Sequence, residues 1–131
     1  MRSFRYLLVS TLLLIMATAT ASQPVREFSG RQSSVTAEFT VEAPWILDWR
    51  LNGDYEQMIA LDVQLLNART GIMVGRVLHT KRRGNGVKLF NESGTYKFRV
   101  SSTLANWTLR VEQLTEEEAE LYTPKRRSLI N

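Results

Sequence analysis

Between Val35 and Leu114 the chain alternates apolar and polar residues with a period of two. Successive side chains of a β-strand point to opposite faces of a sheet, so this period predicts strands that bury one face. Turn-forming sequences, such as NGD at 52–54 and NESG at 91–94, separate the alternating segments. The spacing predicts an all-β fold: an antiparallel, jelly-roll-like β-sandwich of about seven to eight short strands.

The predicted strands differ in how strictly they alternate. They comprise residues 35–43, 45–51, 58–66, 72–80, 87–90, 94–101 and 107–112. In 72–80 apolar residues occupy both parities, which predicts either burial on both faces or a bulge. In 45–51, Ile46 is the one apolar residue with outward parity. Large aromatic residues on the apolar parity are predicted to anchor the core. They are Phe39, Trp45, Trp49, Tyr96, Phe98 and Trp107.

Residues 1–21 have the pattern of a secretory signal peptide. Arg2 and Arg5 precede a short apolar run, and Ala19 and Ala21 form an A-x-A cleavage pattern. The run is shorter than the roughly 20 apolar residues of a membrane-spanning helix. We therefore expect a secreted or periplasmic protein with no transmembrane segment after cleavage. An uncleaved anchor is the alternative.

The segments that flank the predicted sandwich (35–114) have a different composition. Residues 22–34 are polar and are predicted to form a flexible lead-in. Thr115 and Glu118 match a capping box, which predicts a helix of about two turns. A basic tail follows, so that 115–131 is predicted to comprise a short helix and this tail.

The composition excludes several classes of protein. The chain contains no cysteine, which rules out a disulfide framework, a cysteine-ligated metal and a thiol nucleophile. The net charge of +4 falls to +2 when Arg2 and Arg5 are removed, because 15 basic residues then face 13 acidic ones. A nucleic-acid binder carries a larger, concentrated basic excess. We therefore expect no nucleic-acid partner.

Residues that could support catalysis or hold a metal ion are few. His79 is the only histidine, and no nucleophile motif accompanies it. Asp48 and Asp62 have outward parity, so surface charge explains them. Asp54 and Glu56 form, with Asn52, an alternative set of oxygen ligands for a hard cation. The sequence favours a protein that is not an enzyme and needs no cofactor or metal.

The most concentrated charge lies in the sequence HTKRRGNG at 79–86. Lys81, Arg82 and Arg83, together with Lys88, are the predicted ligand-binding residues, because cationic side chains hold phosphate and carboxylate groups. Amides near the two glycines could add donors. A solvated hairpin tip is the alternative interpretation.

Three segments together resemble a known family. FTVEAPWILDW at 39–49, GTYKFRV at 94–100 and NWTLRVEQ at 106–113 resemble strands of the pre-peptidase C-terminal (PPC-like) domains, which are small exported bacterial β-sandwich modules. The resemblance covers about residues 35–114. It implies a non-catalytic module of the kind that is appended to secreted enzymes and thought to aid attachment to substrate or surface.

These observations predict a non-catalytic exported envelope protein that acts as a binding or attachment module. Its expected partner is an anionic envelope polymer such as a polysaccharide, bound mainly at the basic loop 81–88 and secondarily at 45–56. The alternative is a protein-interaction subunit that inhibits or escorts another exported protein. Its contact would be an edge strand together with Ile46, Tyr55 or Met58.

Overall fold

The alternating segments form the strands of a computed structural model that describes residues 23–123. The predicted signal peptide (1–21) and the basic tail (125–131) lie outside the described residues. The strands are β1 (Gln23–Gly30), β2 (Ser34–Val35), β3 (Phe39–Val41), β4 (Trp45–Asn52), β5 (Ala60–Asn67), β6 (Met73–Thr80), β7 (Gly84–Phe90), β8 (Gly94–Thr103) and β9 (Asn106–Gln113), and α1 (Glu116–Glu120) follows them.

Two antiparallel sheets pack against each other. The first sheet has the order β1-β9-β4-β7, and the second has the order β2-β8-β5-β6. β3 also pairs with β8, so β2 and β3 act as one interrupted strand. When β2 and β3 are counted as one strand, the sandwich has eight strands, four in each sheet. Their order in the two sheets is that of a jelly roll. The predicted fold class is confirmed, including the short C-terminal helix.

The core lies between the two sheets and is rich in aromatic side chains. Phe39, Trp45, Tyr96, Phe98 and Trp107 are buried there, and Trp49 packs against the same cluster while remaining partly exposed. The Phe39 and Phe98 rings lie 4.9 Å apart between centroids. Such contacts between aromatic rings contribute to stability beyond the area they bury.

The sandwich begins before the boundary that alternation indicated at Val35. Residues 23–30, predicted to be a flexible lead-in, form β1 along β9. The pairing shifts register between Pro24 and Arg26. This bulge interrupts the period of two, so Val25 and Phe28, three residues apart, both pack against the core.

For two further residues the exposure expected from parity is wrong. Val35 is exposed, because the predicted strand 35–43 is interrupted between β2 and β3. There the Thr36 hydroxyl accepts a hydrogen bond from the Phe98 amide at 3.0 Å. Ile46, predicted to point outward into solvent, is only 1% exposed. Ile46 lies on β4, a central strand with a neighbour on each side. Its cross-strand neighbours are Leu89 of β7 and Glu112 of β9.

The glycine-rich loop is shorter than its sequence indicated. β7 begins at Gly84, which leaves 81–83 as the connection from β6. Gly86 lies opposite Trp49, and a Cβ atom on Gly86 would lie 2.8 Å from the Trp49 Nε1 atom. Gly86 therefore gives the indole room to pack on the backbone of β7.

Two other elements, β6 and α1, agree with their sequence signals. Two register shifts interrupt the pairing of β5 with β6, so the bulge is the correct alternative for the mixed parity of β6.

At α1 the Thr115 hydroxyl accepts a hydrogen bond from the Glu118 amide at 3.2 Å, which confirms the capping box. Within residues 23–123 no helix is long and apolar enough to cross a membrane.

Candidate functional site

The strand register brings four connections to one end of the sandwich, which we call the loop end. They are residues 31–33, 53–59, 81–83 and 104–105. Leu51 of β4 lies opposite Gly84 of β7 on one side and Trp107 of β9 on the other. Neighbouring strands are about 4.8 Å apart, so the backbones at Gly84 and Trp107 are about 10 Å apart. The basic loop and the last residues of the 45–56 region, the two contacts favoured by the sequence, therefore lie at the same end.

The loop end is positively charged and exposed. Arg31, Lys81, Arg82 and Arg83 are all exposed, and no carboxylate within residues 23–123 forms an ion pair with any of them. The acidic residues in these connections are Asp54 and Glu56, which are also exposed. Four basic side chains against two acidic ones leave a net positive charge. Because the basic groups have no ion-pair partner in this part of the chain, they are free to attract an anion.

Lys88 lies apart from the other three predicted binding residues. It is opposite the buried Leu47, so it has inward parity on the edge strand β7. Its Nζ atom donates to the Val77 carbonyl of β6 at 3.4 Å and lies 5.7 Å from the centroid of the Phe90 ring. Along the strand, Lys88 is about 13 Å from Gly84. Lys88 therefore bridges the edges of the two sheets, whereas 81–83 form the loop tip.

A recess of about 600 Å³ opens at the loop end, and we call it the loop-end recess. Its apolar rim consists of Tyr55 and Leu104, which are 63% and 51% exposed. Arg31, Asp54 and Asn106 add charged and amide groups to its lining. A concave surface with exposed apolar side chains and a few polar groups has the general composition of a ligand site.

Hydrogen bonds from the core hold the walls of this recess. The buried Trp107 donates from its Nε1 atom to the Gln32 carbonyl at 3.1 Å. The Ser33 hydroxyl accepts a hydrogen bond from the Ser102 amide at 2.9 Å. Trp107 is thus both a core residue and the side chain that positions the wall formed by 31–33.

The opposite wall is formed by two interlocked connections. A Cβ atom on the buried Gly53 would lie 2.8 Å from the Leu104 carbonyl oxygen, so glycine allows these backbones to meet. Leu104 has a φ of 46°, a left-handed conformation that costs a leucine roughly 1–2 kcal/mol. The surrounding packing therefore holds an apolar side chain toward solvent in an unfavourable conformation. Such strain is concentrated at functional sites.

A second cavity, of about 310 Å³, lies on the side of the sandwich between β6 and β7. Trp45, Phe90 and Tyr96 line it together with Lys88. The Trp45 and Phe90 rings stack with their centroids 4.1 Å apart. Burial raises the pKa of the Tyr96 phenol above its usual value of 10.0, and the nearby Glu92 carboxylate raises it further. This cavity is separate from the loop tip.

The remaining candidate residues are distributed over both sheets and the 53–59 connection. His79 is exposed, and its Nδ1 atom lies 3.1 Å from Asp62 Oδ2, which also pairs with Arg76 at 3.1 Å. Asp62 belongs to the second sheet and Asp48 to the first, so they do not flank a shared cleft. Within the described range, no three His, Cys, Asp or Glu side chains are close enough to hold a metal ion. Asn52 is one of the alternative oxygen ligands predicted for a hard cation. Its carboxamide oxygen accepts a hydrogen bond from the Gly53 amide at 2.8 Å.

Several residues of the recess carry no recognisable sequence signal. Arg31 and Gln32 fall in the segment predicted to be a lead-in, and Leu104 and Asn106 lie between two predicted strands. Only the pairing of β1 with β9 and the packing of Gly53 against Leu104 bring them together.

Comparisons of the sequence find no matching family model and no matching curated protein. The fold itself places the chain in the class of jelly-roll β-sandwiches. Within that class, its distinguishing features are the basic loop end and the recess beside it.

Proposed function

We propose that this protein is a non-catalytic, exported binding or attachment module that holds an anionic polysaccharide of the cell envelope at its loop end. The observation that carries this proposal is the run of exposed basic side chains Lys81, Arg82 and Arg83 at one end of the sandwich, without ion-pair partners among the described residues. Arg31, at the opposite edge of the same end, is a fourth exposed basic residue without such a partner. Export itself rests on the signal-peptide pattern of 1–21.

The chemistry of these side chains suits a polymeric anion. Arginine binds carboxylate and phosphate groups through two parallel hydrogen bonds, and lysine acts as a point charge. A single exposed ion pair contributes only about 0–1 kcal/mol, so one anionic group would be held weakly. A polymer offers several anionic groups at once, and its second contact forms at a high effective concentration. The resemblance of 35–114 to PPC-like attachment domains agrees with this proposal.

The proposal predicts that binding depends on the loop charges and on salt. We expect the full chain to bind one or more members of a panel of uronic-acid polymers. Replacing Lys81, Arg82 and Arg83 together by alanine should weaken that binding by about tenfold to a hundredfold at low salt. Raising the ionic strength should weaken wild-type binding, because exposed charges are screened. Isothermal titration calorimetry at two salt concentrations measures both effects.

A matched control removes the same charge elsewhere. Replacing Arg50, Lys97 and Arg99 by alanine takes three basic residues from the outer faces of the two sheets. This variant should lose much less affinity than the loop variant. Equal losses would show that only net charge matters, and no binding to any polymer would overturn the proposal.

A specific observation favours a second candidate function, the protein-interaction subunit. β6 is an edge strand of the second sheet, and the three consecutive residues Ile72, Met73 and Val74 beside and within it are at least half exposed. An exposed edge with apolar side chains can accept a strand from another protein. Tyr55 and Met58 remain exposed as predicted contacts, whereas the buried Ile46 is removed from this contact.

A further inference from the structure

The loop-end recess combines features that charge alone does not require. Tyr55 presents a largely exposed aromatic ring, and Leu104 holds a second apolar side chain beside it at a positive φ. An exposed aromatic side chain offers a flat apolar surface with a polar hydroxyl at its edge. A ligand that covered Tyr55 and Leu104 would bury its own apolar surface and that of the two side chains. This burial favours binding.

The polar lining of the recess differs from that of the loop tip. Asp54 provides only hydrogen-bond acceptors, Arg31 only donors, and Asn106 both. A ligand with several hydroxyl groups can both donate and accept, so it satisfies all three types of side chain. A simple inorganic anion could use the donors but would be repelled by the Asp54 carboxylate.

The walls of the recess are formed before any ligand arrives. Trp107 holds Gln32, Ser33 accepts from Ser102, and Gly53 packs against the Leu104 carbonyl. A recess with fixed walls costs less conformational entropy on binding than a flexible one. Its volume of about 600 Å³ exceeds that of a single sugar ring and leaves room for a neighbouring unit.

From these observations we infer that the recess is a subsite for pyranose rings, in which a sugar ring stacks on Tyr55 and Leu104 while its hydroxyl groups bond to Asp54 and Asn106. In a uronic acid, the ring carboxylate pairs with Arg31. The inference rests on the proposed function, which gives the class of polymer. It adds that the protein recognises the sugar ring as well as the negative charge.

The test separates the ring from the charge. The full chain is titrated with polygalacturonate, which has both, and with poly-L-glutamate of matched length, which has charge but no ring. Wild-type protein should prefer polygalacturonate. Replacing Tyr55 by alanine should weaken polygalacturonate binding about tenfold and leave poly-L-glutamate binding unchanged.

Two control variants guard against indirect effects. Tyr55→Phe keeps the ring and should retain most of the affinity. Tyr122→Ala removes another exposed tyrosine, which follows α1 and does not line the recess, and should bind like the wild type. Both alanine variants are expected to fold, because each residue is exposed.

The possible results distinguish this inference from the proposed function. If the two polymers bind equally and Tyr55→Ala has no effect, while the Lys81, Arg82 and Arg83 variant loses binding, the subsite is wrong and charge-based attachment stands. If Tyr55→Ala loses binding to polygalacturonate but the Lys81, Arg82 and Arg83 variant does not, the pyranose subsite is supported and binding through the basic loop is contradicted. If wild-type protein binds neither of these polymers nor any member of the uronic-acid panel, both proposals are overturned.

Discussion

Two of the three tryptophans connect the core to a loop through their indole nitrogen. Trp107 donates to the Gln32 carbonyl, and Trp45 donates to the Glu92 carbonyl at 2.9 Å. A buried indole N–H needs a hydrogen-bond partner, so a large aromatic residue near the end of a strand can order a connection while it packs in the core. At the loop end, this places the Gln32 wall of the recess. Trp107 is therefore a structural residue, and at 4% exposure it does not itself offer a platform to a ligand.

Tyr96 gives a prediction for stability at high pH. Burial raises the pKa of its phenol in the folded protein, and Glu92 adds to the effect. The unfolded chain then releases this proton first, near pH 10, while the folded protein still holds it. Stability from this group is thus complete below pH 10 and is lost as the pH rises through the folded pKa. We expect the free energy of unfolding to fall less steeply above pH 10 in Tyr96→Phe than in the wild type, measured by urea unfolding from pH 8 upward.

The exposed Tyr55 provides the control for this measurement. Tyr55→Phe should leave the wild-type dependence on pH unchanged, because the Tyr55 side chain lies at the surface and is exposed to water in the folded and the unfolded chain alike. The explanation fails if Tyr96→Phe and wild-type protein lose stability in parallel above pH 10. The hydrogen bond from the Tyr96 hydroxyl to the Ser93 carbonyl, at 3.2 Å, affects the overall level of stability and not its slope below pH 10.

At the scale of elements, the edge strand β6 is only partly protected against pairing with another chain. Its register shifts against β5 and the charged Arg76 are features that natural edge strands use for protection. The apolar residues Ile72, Met73 and Val74 are nevertheless exposed at its start. This combination makes β6 the place where the protein-interaction alternative is tested.

We expect the double substitution Met73→Lys and Val74→Lys to abolish any strand-mediated partner contact. Both residues are exposed, so stability should change by no more than about 0.5 kcal/mol per site. The measurement is a cross-linking pull-down from envelope extract of the protein's own organism, with Leu121→Lys as a control at another exposed apolar residue. Partner recovery should survive the control and the loop-charge variant. If the double variant recovers the same partner, β6 is not the contact.

At the scale of the whole molecule, β1 completes the first sheet. It pairs with β9 along its length and places Val25 and Phe28 against the core. Gly30 also lies against the Trp107 ring, where a Cβ atom would be 2.8 Å from an indole carbon. Without β1, β9 becomes an edge strand and Trp107 loses part of its cover.

A chain that begins at Arg31 should therefore be much less stable than one that begins at Gln23. Two partly buried apolar side chains contribute about 2–4 kcal/mol, and the lost backbone pairing adds to this. Thermal unfolding followed by tryptophan fluorescence measures the difference, and the indole emission should shift to the red as Trp107 becomes exposed. Equal melting temperatures of the two chains would contradict this prediction and would support a domain boundary at Val35, as the alternation pattern indicated.

The sequence by itself determined the type of most elements and the class of the fold. Alternation of apolar and polar residues marks strands directly, because side-chain direction in a strand depends only on position along it. The capping box at Thr115 and Glu118 is similarly local, since its partners are three residues apart. These signals need no knowledge of what packs where.

Except in β6, where mixed parity already indicated a bulge, the tertiary structure alone decided where the period fails and which loops lie together. The bulge in β1, the break between β2 and β3, and the packing of Trp49 over Gly86 depend on a neighbouring strand, so the local sequence does not reveal them. The loop end joins residues as distant as Arg31, Tyr55, Arg83 and Leu104 because β4 lies between β7 and β9 and because β9 pairs with β1. Such neighbours are set by register across the sheet, which is a property of the assembled strands and not of any one of them.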